Sequence, residues 1–252
     1  MRVLLTNDDG INAPGLSVLE DLAKTIADEI WIVAPETDQS GLAHSLTLSH
    51  PLRARKVRDK CYAVSGTPTD CVIMAVRELV DGPIDLVLSG VNAGQNIGDY
   101  ITYSGTVAGA MEGVLLGIPS IAFSQAFLSE NIRAIPWDTT HKHGPAVLKS
   151  LLDIDLPKDT LINVNFPGCD ADDVAGTVVA AQGKFEHGLG IGKRQDGRGL
   201  PYYWLEFMGH PPDDQPGTDI QALRSNHIAI TPVRMDMTDH ASLDTLRTHL
   251  GS

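Results

Sequence analysis

Arg2–Thr6 is a short apolar run with the character of a buried strand. Pro14-Gly15 then opens a segment in which Leu16, Leu19, Leu22, Ala23, Ile26 and Ile30 recur at helical spacing. A second apolar run, Glu29-Ile30-Trp31-Ile32-Val33-Ala34-Pro35, is closed by its proline. Strand, helix and strand in this order predict a βαβ unit, and such units build parallel sheets covered by helices. The alternation continues. Helices are predicted over Asp70–Leu79, Gly105–Leu116 and Ala146–Leu152, and strands over Ile84–Ser89, Ile118–Phe123 and Thr160–Asn165. Up to residue 168 the pattern predicts a doubly wound, mostly parallel α/β domain.

Beyond residue 168 the rhythm changes. Short apolar runs (Val178-Val179-Ala180, Tyr202-Tyr203-Trp204-Leu205, Ile228-Ala229-Ile230) stand among Gly, Pro and Asp, and Ala241–Leu250 reads as a terminal helix. The expected organisation is an α/β catalytic core over 1–168 and a β-rich extension over 169–252. A hairpin-rich stretch of that size buries little core alone, so it is expected to pack on the main domain or on another subunit.

Composition narrows the function. The 252 residues are 42% hydrophobic, enough for a sizeable core. Lys and Arg number 19 against 32 Asp and Glu, a net charge of −13. That balance opposes a general affinity for nucleic-acid polymers or anionic membranes. Three scattered cysteines, Cys61, Cys71 and Cys169, form neither a disulfide framework nor a zinc motif. With no apolar stretch of 18 residues, the expectation is a cytoplasmic protein.

Three predicted strands end in abrupt polar turns: Asn7-Asp8-Asp9-Gly10, Glu36-Thr37-Asp38-Gln39-Ser40-Gly41 and Ser89-Gly90-Val91-Asn92-Ala93-Gly94. The carboxyl ends of parallel strands share one edge of the sheet, so these turns are expected to meet. Asp8 and Asp9 would point to opposite faces of a regular strand, and both reach one site only if the chain turns at Gly10. Two carboxylates forced together need a proton or a cation between them. With Ser40 and Asn92 the set is all oxygen, which suits Mg²⁺ or Mn²⁺ and disfavours zinc. Taken singly, Asp-Asp-Gly and Ser-Gly read as turns and Asn92 as a cap.

Gly94–Thr106 follows and leads into a predicted helix whose free N–H groups form an anion site, with Ser104 and Thr106 as hydroxyl donors or simple caps. Residues 3–23, 36–49 and 78–132 contain no Lys or Arg. A phosphate there would be met by a cation, backbone dipoles and hydroxyls. Gly188-Leu189-Gly190-Ile191-Gly192-Lys193-Arg194 imitates a phosphate-binding loop, but Arg194 stands where Ser or Thr is required.

The opening Leu4-Leu5-Thr6-Asn7-Asp8-Asp9-Gly10-Ile11-Asn12-Ala13-Pro14-Gly15 closely resembles the SurE family of survival-protein nucleotidases. So do Gly66–Cys71, Ser89–Gly94 and Tyr103–Gly113. Gly217-Thr218-Asp219 and Ile230-Thr231-Pro232, with Asp236 and His240, carry the resemblance into the last third. It implies a Rossmann-like, SurE-like fold and a divalent-metal-dependent phosphatase. The implied substrates are nucleoside 5′- and 3′-monophosphates, with short polyphosphate as a further class. The resemblance places one Mg²⁺ or Mn²⁺ ion per subunit on Asp8, Asp9, Ser40 and Asn92. It places phosphate contacts on Asn96, Ser104, Gly105 and Thr106, and implies a homodimer or homotetramer with an exchanged C-terminal arm. Tyr100 stands where many relatives carry an acidic residue, and Gln39 where a basic one is common. Ser124–Gly144 reads as a long loop, with His141-Lys142-His143 solvated on it.

The resulting expectation is in-line attack of water on the phosphorus, with Asp8 or Asp9 as the catalytic carboxylate orienting or deprotonating that water. A covalent aspartyl-phosphate route would need carboxylates two residues apart and a lysine, and Asn7 precedes Asp8. The alternative from another class is a non-catalytic nucleotide sensor using the same pocket.

Overall fold

The structure is a computed structural model that describes residues 1–128, 134–186, 188–207 and 215–251. Strand β1 (Arg2–Thr6) sits mid-sheet, parallel to β2 (Glu29–Pro35) on one side and to β5 (Leu86–Ala93) on the other. β4 (Cys61–Val64) lies parallel beyond β2, and β3 (Ala54–Arg58) closes that edge antiparallel. On the other side β6 (Ser120–Gln125) and β7 (Thr160–Phe166) continue parallel to β5. The order of the nine-stranded sheet is β3-β4-β2-β1-β5-β6-β7-β11-β8, so the direction of winding reverses between β1 and β5. Ligand crevices form at such a reversal, outside the carboxyl ends of the strands.

Alternation along β1 divides the core. Val3 and Leu5 face a cluster with helices α1 (Pro14–Ala23) and α4 (Trp137–Leu152), while Leu4 faces α2 (Pro68–Met74). Helix α3 (Gly105–Leu115) covers β5 and β6 on the α2 side. It can do so closely because Gly105, Gly109 and Gly113 form a stripe at four-residue spacing. A Cβ at Gly109 would lie 2.8 Å from Ser89 Oγ, and one at Gly113 would lie 2.2 Å from Ser120 Oγ. The helix therefore rests on the sheet backbone-first.

Three stretches differ from their sequence patterns. The helical spacing reaches Ile30, yet α1 stops at Ala23, where Thr25 Oγ1 donates to the Leu22 carbonyl (2.7 Å) and a tight turn redirects the chain. Helix α4 begins at Trp137, well before Ala146, and carries Pro145 inside it. Its first turns are anchored by Thr139 Oγ1 to Cys169 O (2.7 Å) and Thr140 Oγ1 to Gln125 Oε1 (2.6 Å). The expected loop over Ser124–Gly144 is thereby corrected at its far end: His141, Lys142 and His143 lie on α4, and His143 Nε2 bonds Ala171 O (2.7 Å). Residues 129–133 of that stretch lie outside the described residues. The β3–β4 hairpin was not predicted, because β3 is fully exposed and carries Arg55, Lys56 and Arg58.

After residue 168, β8 (Gly176–Val179) and β11 (His227–Arg234) join the main sheet through β7, with helix α5 (Asp219–Arg224) between them in sequence. Strands β9 (Leu189–Gln195) and β10 (Pro201–Phe207) form a separate two-stranded sheet. The glycine-rich segment that imitates a phosphate loop is thus strand β9. The last helix, α6 (His240–Leu250), buries none of its residues. No helix is long and apolar enough to cross a membrane among the described residues. Cys61 and Cys71 are buried and Cys169 half-buried, all as free thiols.

Candidate functional site

β1 ends at Thr6 and the chain turns through Gly10, at φ +100°, where a side chain would be strained. The turn is fastened from inside by Asn7 Nδ2, which donates to Gly10 O (2.9 Å), and from outside by Ile11 N–H to Pro35 O (2.8 Å). The turn after β2 is tied to it by Gln39 N–H donating to Asp8 O (2.8 Å). β5 departs from regular pairing between Ser89 and Asn92. Gly90 there has φ +132°, and a Cβ would fall 2.2 Å from Phe123 O. That irregularity carries Asn92 and Ala93 over to the first turn, where Ala93 N–H donates to Asp9 Oδ2 (3.1 Å).

Asp8 is 4% exposed and lies under the start of α3. Thr106 Oγ1 donates a hydrogen bond to Asp8 Oδ1. A Cβ on Gly105 would stand 2.7 Å from Asp8 Cβ. Ser104 caps the helix, its Oγ accepting from Val107 N–H (3.0 Å), and Ala108 N–H goes to Ser104 O. The N–H groups of Gly105 and Thr106 therefore head α3 without intrahelical partners and face the carboxylates' surroundings.

The electrostatics follow from this crowding. Burial raises the Asp8 carboxyl to about 6, aided by the Asp9 charge and opposed by the Thr106 hydrogen bond. Asp9 is raised as well, by burial first and then by the charge of Asp38, with Ala93 N–H pulling the other way. Ser40 is exposed, and both its N–H and Oγ donate to Asp38 Oδ1 (2.8 and 2.6 Å). Asn92 Nδ2 donates to Gly94 O (2.8 Å), which leaves its Oδ1 free to accept. Asp8, Asp9, Asn92, Gly105 and Thr106 are thus joined by direct contacts or through the adjacent residue Ala93. Ser40 approaches through the Gln39–Asp8 bond. Asn96 is held by a different set of bonds, its Nδ2 donating to Ser124 Oγ (2.9 Å).

Several contributors were not read from the sequence. Asp38 passed as a turn residue. His44, in the loop after Ser40, bonds Glu112 of α3 (Nε2 to Oε2, 3.0 Å) and so clips that loop to the helix. The same loop is held by Asp70 Oδ1, which accepts from Thr47 N–H (3.1 Å), and by Thr67 Oγ1 to Ser45 O (2.8 Å). Glu112 is a lone charge among apolar and small residues mid-helix, which is the signal the sequence offers, and the structure buries it.

The family model for survival protein SurE matches residues 3–188. The chain belongs to the SurE family. It is 57% identical to the 5′-nucleotidase SurE of Chelativorans sp. (strain BNC1) over 247 residues, 98% of each chain. It is 59% identical to the 5′-nucleotidase SurE of Rhizobium meliloti (strain 1021) over 246 residues, 98% of this chain and 96% of that one. The crystal structure of the SurE protein from Aquifex aeolicus is similar throughout: TM-score 0.85, 38% identity and full coverage of both chains. The residues quoted from the first and third strand ends fall within the matched span.

Proposed function

We propose that this SurE protein is a divalent-metal-dependent phosphatase that hydrolyses nucleoside 5′-monophosphates, and 3′-monophosphates, to nucleoside and phosphate. The observation that carries the reading is the pair Asp8 and Asp9, drawn to one rim by Thr106 and by Ala93, with raised carboxyl pKa values and no lysine or arginine in the surrounding turns. Crowded carboxylates with a free amide oxygen on Asn92 and a hydroxyl on Ser40 fit one hard cation, Mg²⁺ or Mn²⁺. When bound, such a cation supplies charge neutralisation for the phosphate and a more acidic water.

The chain's own residues do the rest. The N–H groups of Gly105 and Thr106, the Ser104 cap and the side chain of Asn96 hold phosphate oxygens at the head of α3. Asp8 and Asp9 are the candidate catalytic carboxylates, orienting the attacking water and accepting its proton. Protein charge of −13 opposes a dianionic ester, so binding depends on this local arrangement.

The expected assembly is a homodimer or homotetramer. Residues 169–252 serve it: Ile191 is 67% exposed, Trp204 60% and Leu205 75%, and an apolar hairpin of this kind calls for cover by another subunit. A cytoplasmic location fits the free thiols.

The test is phosphate release from a panel of nucleoside monophosphates by metal-stripped protein, with and without Mg²⁺ or Mn²⁺. Turnover restored only by the cation supports the reading. Tight mononucleotide binding without release would favour a sensor, and undiminished turnover in chelator would overturn the role of the cation.

A further inference from the structure

Asn96 is held by more of the fold than any helix cap would require. Its N–H donates to Asn165 Oδ1 (2.8 Å), and its carbonyl accepts from Asn165 Nδ2 (2.9 Å) and from Asn163 Nδ2 (2.8 Å). Its side-chain Nδ2 donates to Ser124 Oγ (2.9 Å). Ser124, Asn163 and Asn165 are each 0% exposed. Ser124 and Asn165 are cross-strand partners on β6 and β7.

Burying three polar side chains in a central sheet is unfavourable unless each is bonded, and apolar residues at the same positions would stabilise the sheet more cheaply. Leu161, on the same face of β7, is the apolar alternative in the same strand. All three polar side chains here spend hydrogen bonds on one half-buried residue. Asn165 does so as a neighbouring strand would, pairing both the N–H and the C=O of Asn96. That grip fixes the peptide planes on either side of the Asn96 Cα, and with them the direction of its side chain. Asn96 retains one side-chain N–H and its Oδ1 after bonding Ser124. A few residues on, Gly98 N–H is held by Asp219 Oδ2 (2.9 Å), so the loop is pinned twice before it reaches α3.

We infer that Asn165 is a positioning residue for the substrate's phosphate: by clamping the backbone of Asn96 from within β7, it aims the Asn96 amide at the anion site ahead of α3. The inference rests on the reading of Asn96 as a phosphate contact.

The experiment uses the full chain loaded with Mn²⁺. It measures KM and kcat for a nucleoside 5′-monophosphate and inhibition by inorganic phosphate, in Asn96→Ala, Asn165→Ala and the double variant. Asn165→Ala is expected to raise KM and the phosphate inhibition constant about tenfold, the effect of two lost buried hydrogen bonds, with kcat changed far less. Mn²⁺ affinity by calorimetry should stay at the parent value. In the Asn96→Ala background the second substitution should add nothing. If Asn96→Ala weakens phosphate binding while Asn165→Ala does not, the clamp is wrong and the Asn96 reading stands. If Asn96→Ala has no effect, the Asn96 reading itself has failed. Independent, multiplying effects, or equal losses of Mn²⁺ affinity and KM, would also overturn the clamp. Should Asn165→Ala fail to fold, the isosteric Asn165→Asp decides. Its protonated carboxyl can still donate to Asn96 O, so the ratio of its KM to the parent's should climb with pH, and a flat ratio would overturn the inference.

Discussion

Thr106, in the first turn of α3, gives its hydroxyl hydrogen to the Asp8 carboxylate across 98 residues of chain. The bond fastens the end of the first strand to the head of a helix that also offers free N–H groups. The carboxylate attracts a cation and the helix start an anion, so the bond sets binding groups for two opposite charges side by side. Held in this way, one oxygen of Asp8 is occupied and the other remains for chemistry.

Replacing Thr106 by Val removes that donor at nearly constant volume. A hydrogen bond to a charged, buried acceptor contributes about 1.5–3 kcal/mol, so phosphate release should fall roughly 10- to 100-fold. Thr106→Ser should keep most of the activity. Steady-state kinetics on both variants at saturating Mn²⁺ check this.

Asp8→Asn and Asp9→Asn should each lower kcat by at least about 10²-fold, the scale of a positioned acid–base group. Single-turnover phosphate release is the measurement, and unchanged rates in both would remove the pair from the chemistry.

The raised Asp8 carboxyl, at about 6 in the folded chain, has a defined pH signature. Between pH about 4 and 6 the folded metal-free protein holds a proton that the unfolded chain has lost. Its stability at this site should therefore fall as pH rises through that window, by about 3 kcal/mol at most. Asp8→Asn should remove this contribution and leave the one from Asp9, whose carboxyl is raised as well. Cation binding requires the ionised carboxylate, so Mn²⁺ affinity should strengthen over the same interval. Urea unfolding of chelated protein at pH 4.5 and 7, paired with Mn²⁺ titrations, tests both signs.

Gly105→Ala should cripple the site with little effect on the fold elsewhere. The new methyl group meets Asp8 Cβ at 2.7 Å and must displace either that side chain or the head of α3. A drop of about tenfold or more in kcat/KM is expected, since small misplacements at a reacting centre are costly. Gly197→Ala, with no heavy atom within 4 Å of the added carbon, is the matched control.

His44→Ala should free the loop that carries Ser40. Glu112 would be left nearly buried without its partner, costing about 1–2 kcal/mol of stability. Limited proteolysis should then cut within residues 36–53 faster than in the parent, and Mn²⁺ affinity should fall while KM at saturating Mn²⁺ changes less.

The parallel core was legible because its strands are buried on both faces and read as unbroken apolar runs, as in Ile30–Ala34 and Leu86–Leu88. The turns carrying Asp8, Asp9 and Asn92 were legible for the related reason that polar residues and glycine interrupt those runs at one end. What stayed hidden depends on contacts between distant segments. The charged edge strand β3 has no alternation to betray it, and α4 starts before a proline that ordinarily ends helices. Asn163 and Asn165 looked like ordinary members of a strand until their partner, some 70 residues away in sequence, was in place. The His44–Glu112 clip is of the same kind.

The glycine stripe of α3 has a consequence for how this catalyst could vary. With Gly105, Gly109 and Gly113 against the strands, the height of the helix above the sheet is set by main-chain thickness, which mutation cannot adjust in small steps. Tuning toward other phosphate esters must then come from the surrounding loops, while the distance from Asp8 to the anion cradle is inherited as a fixed gauge.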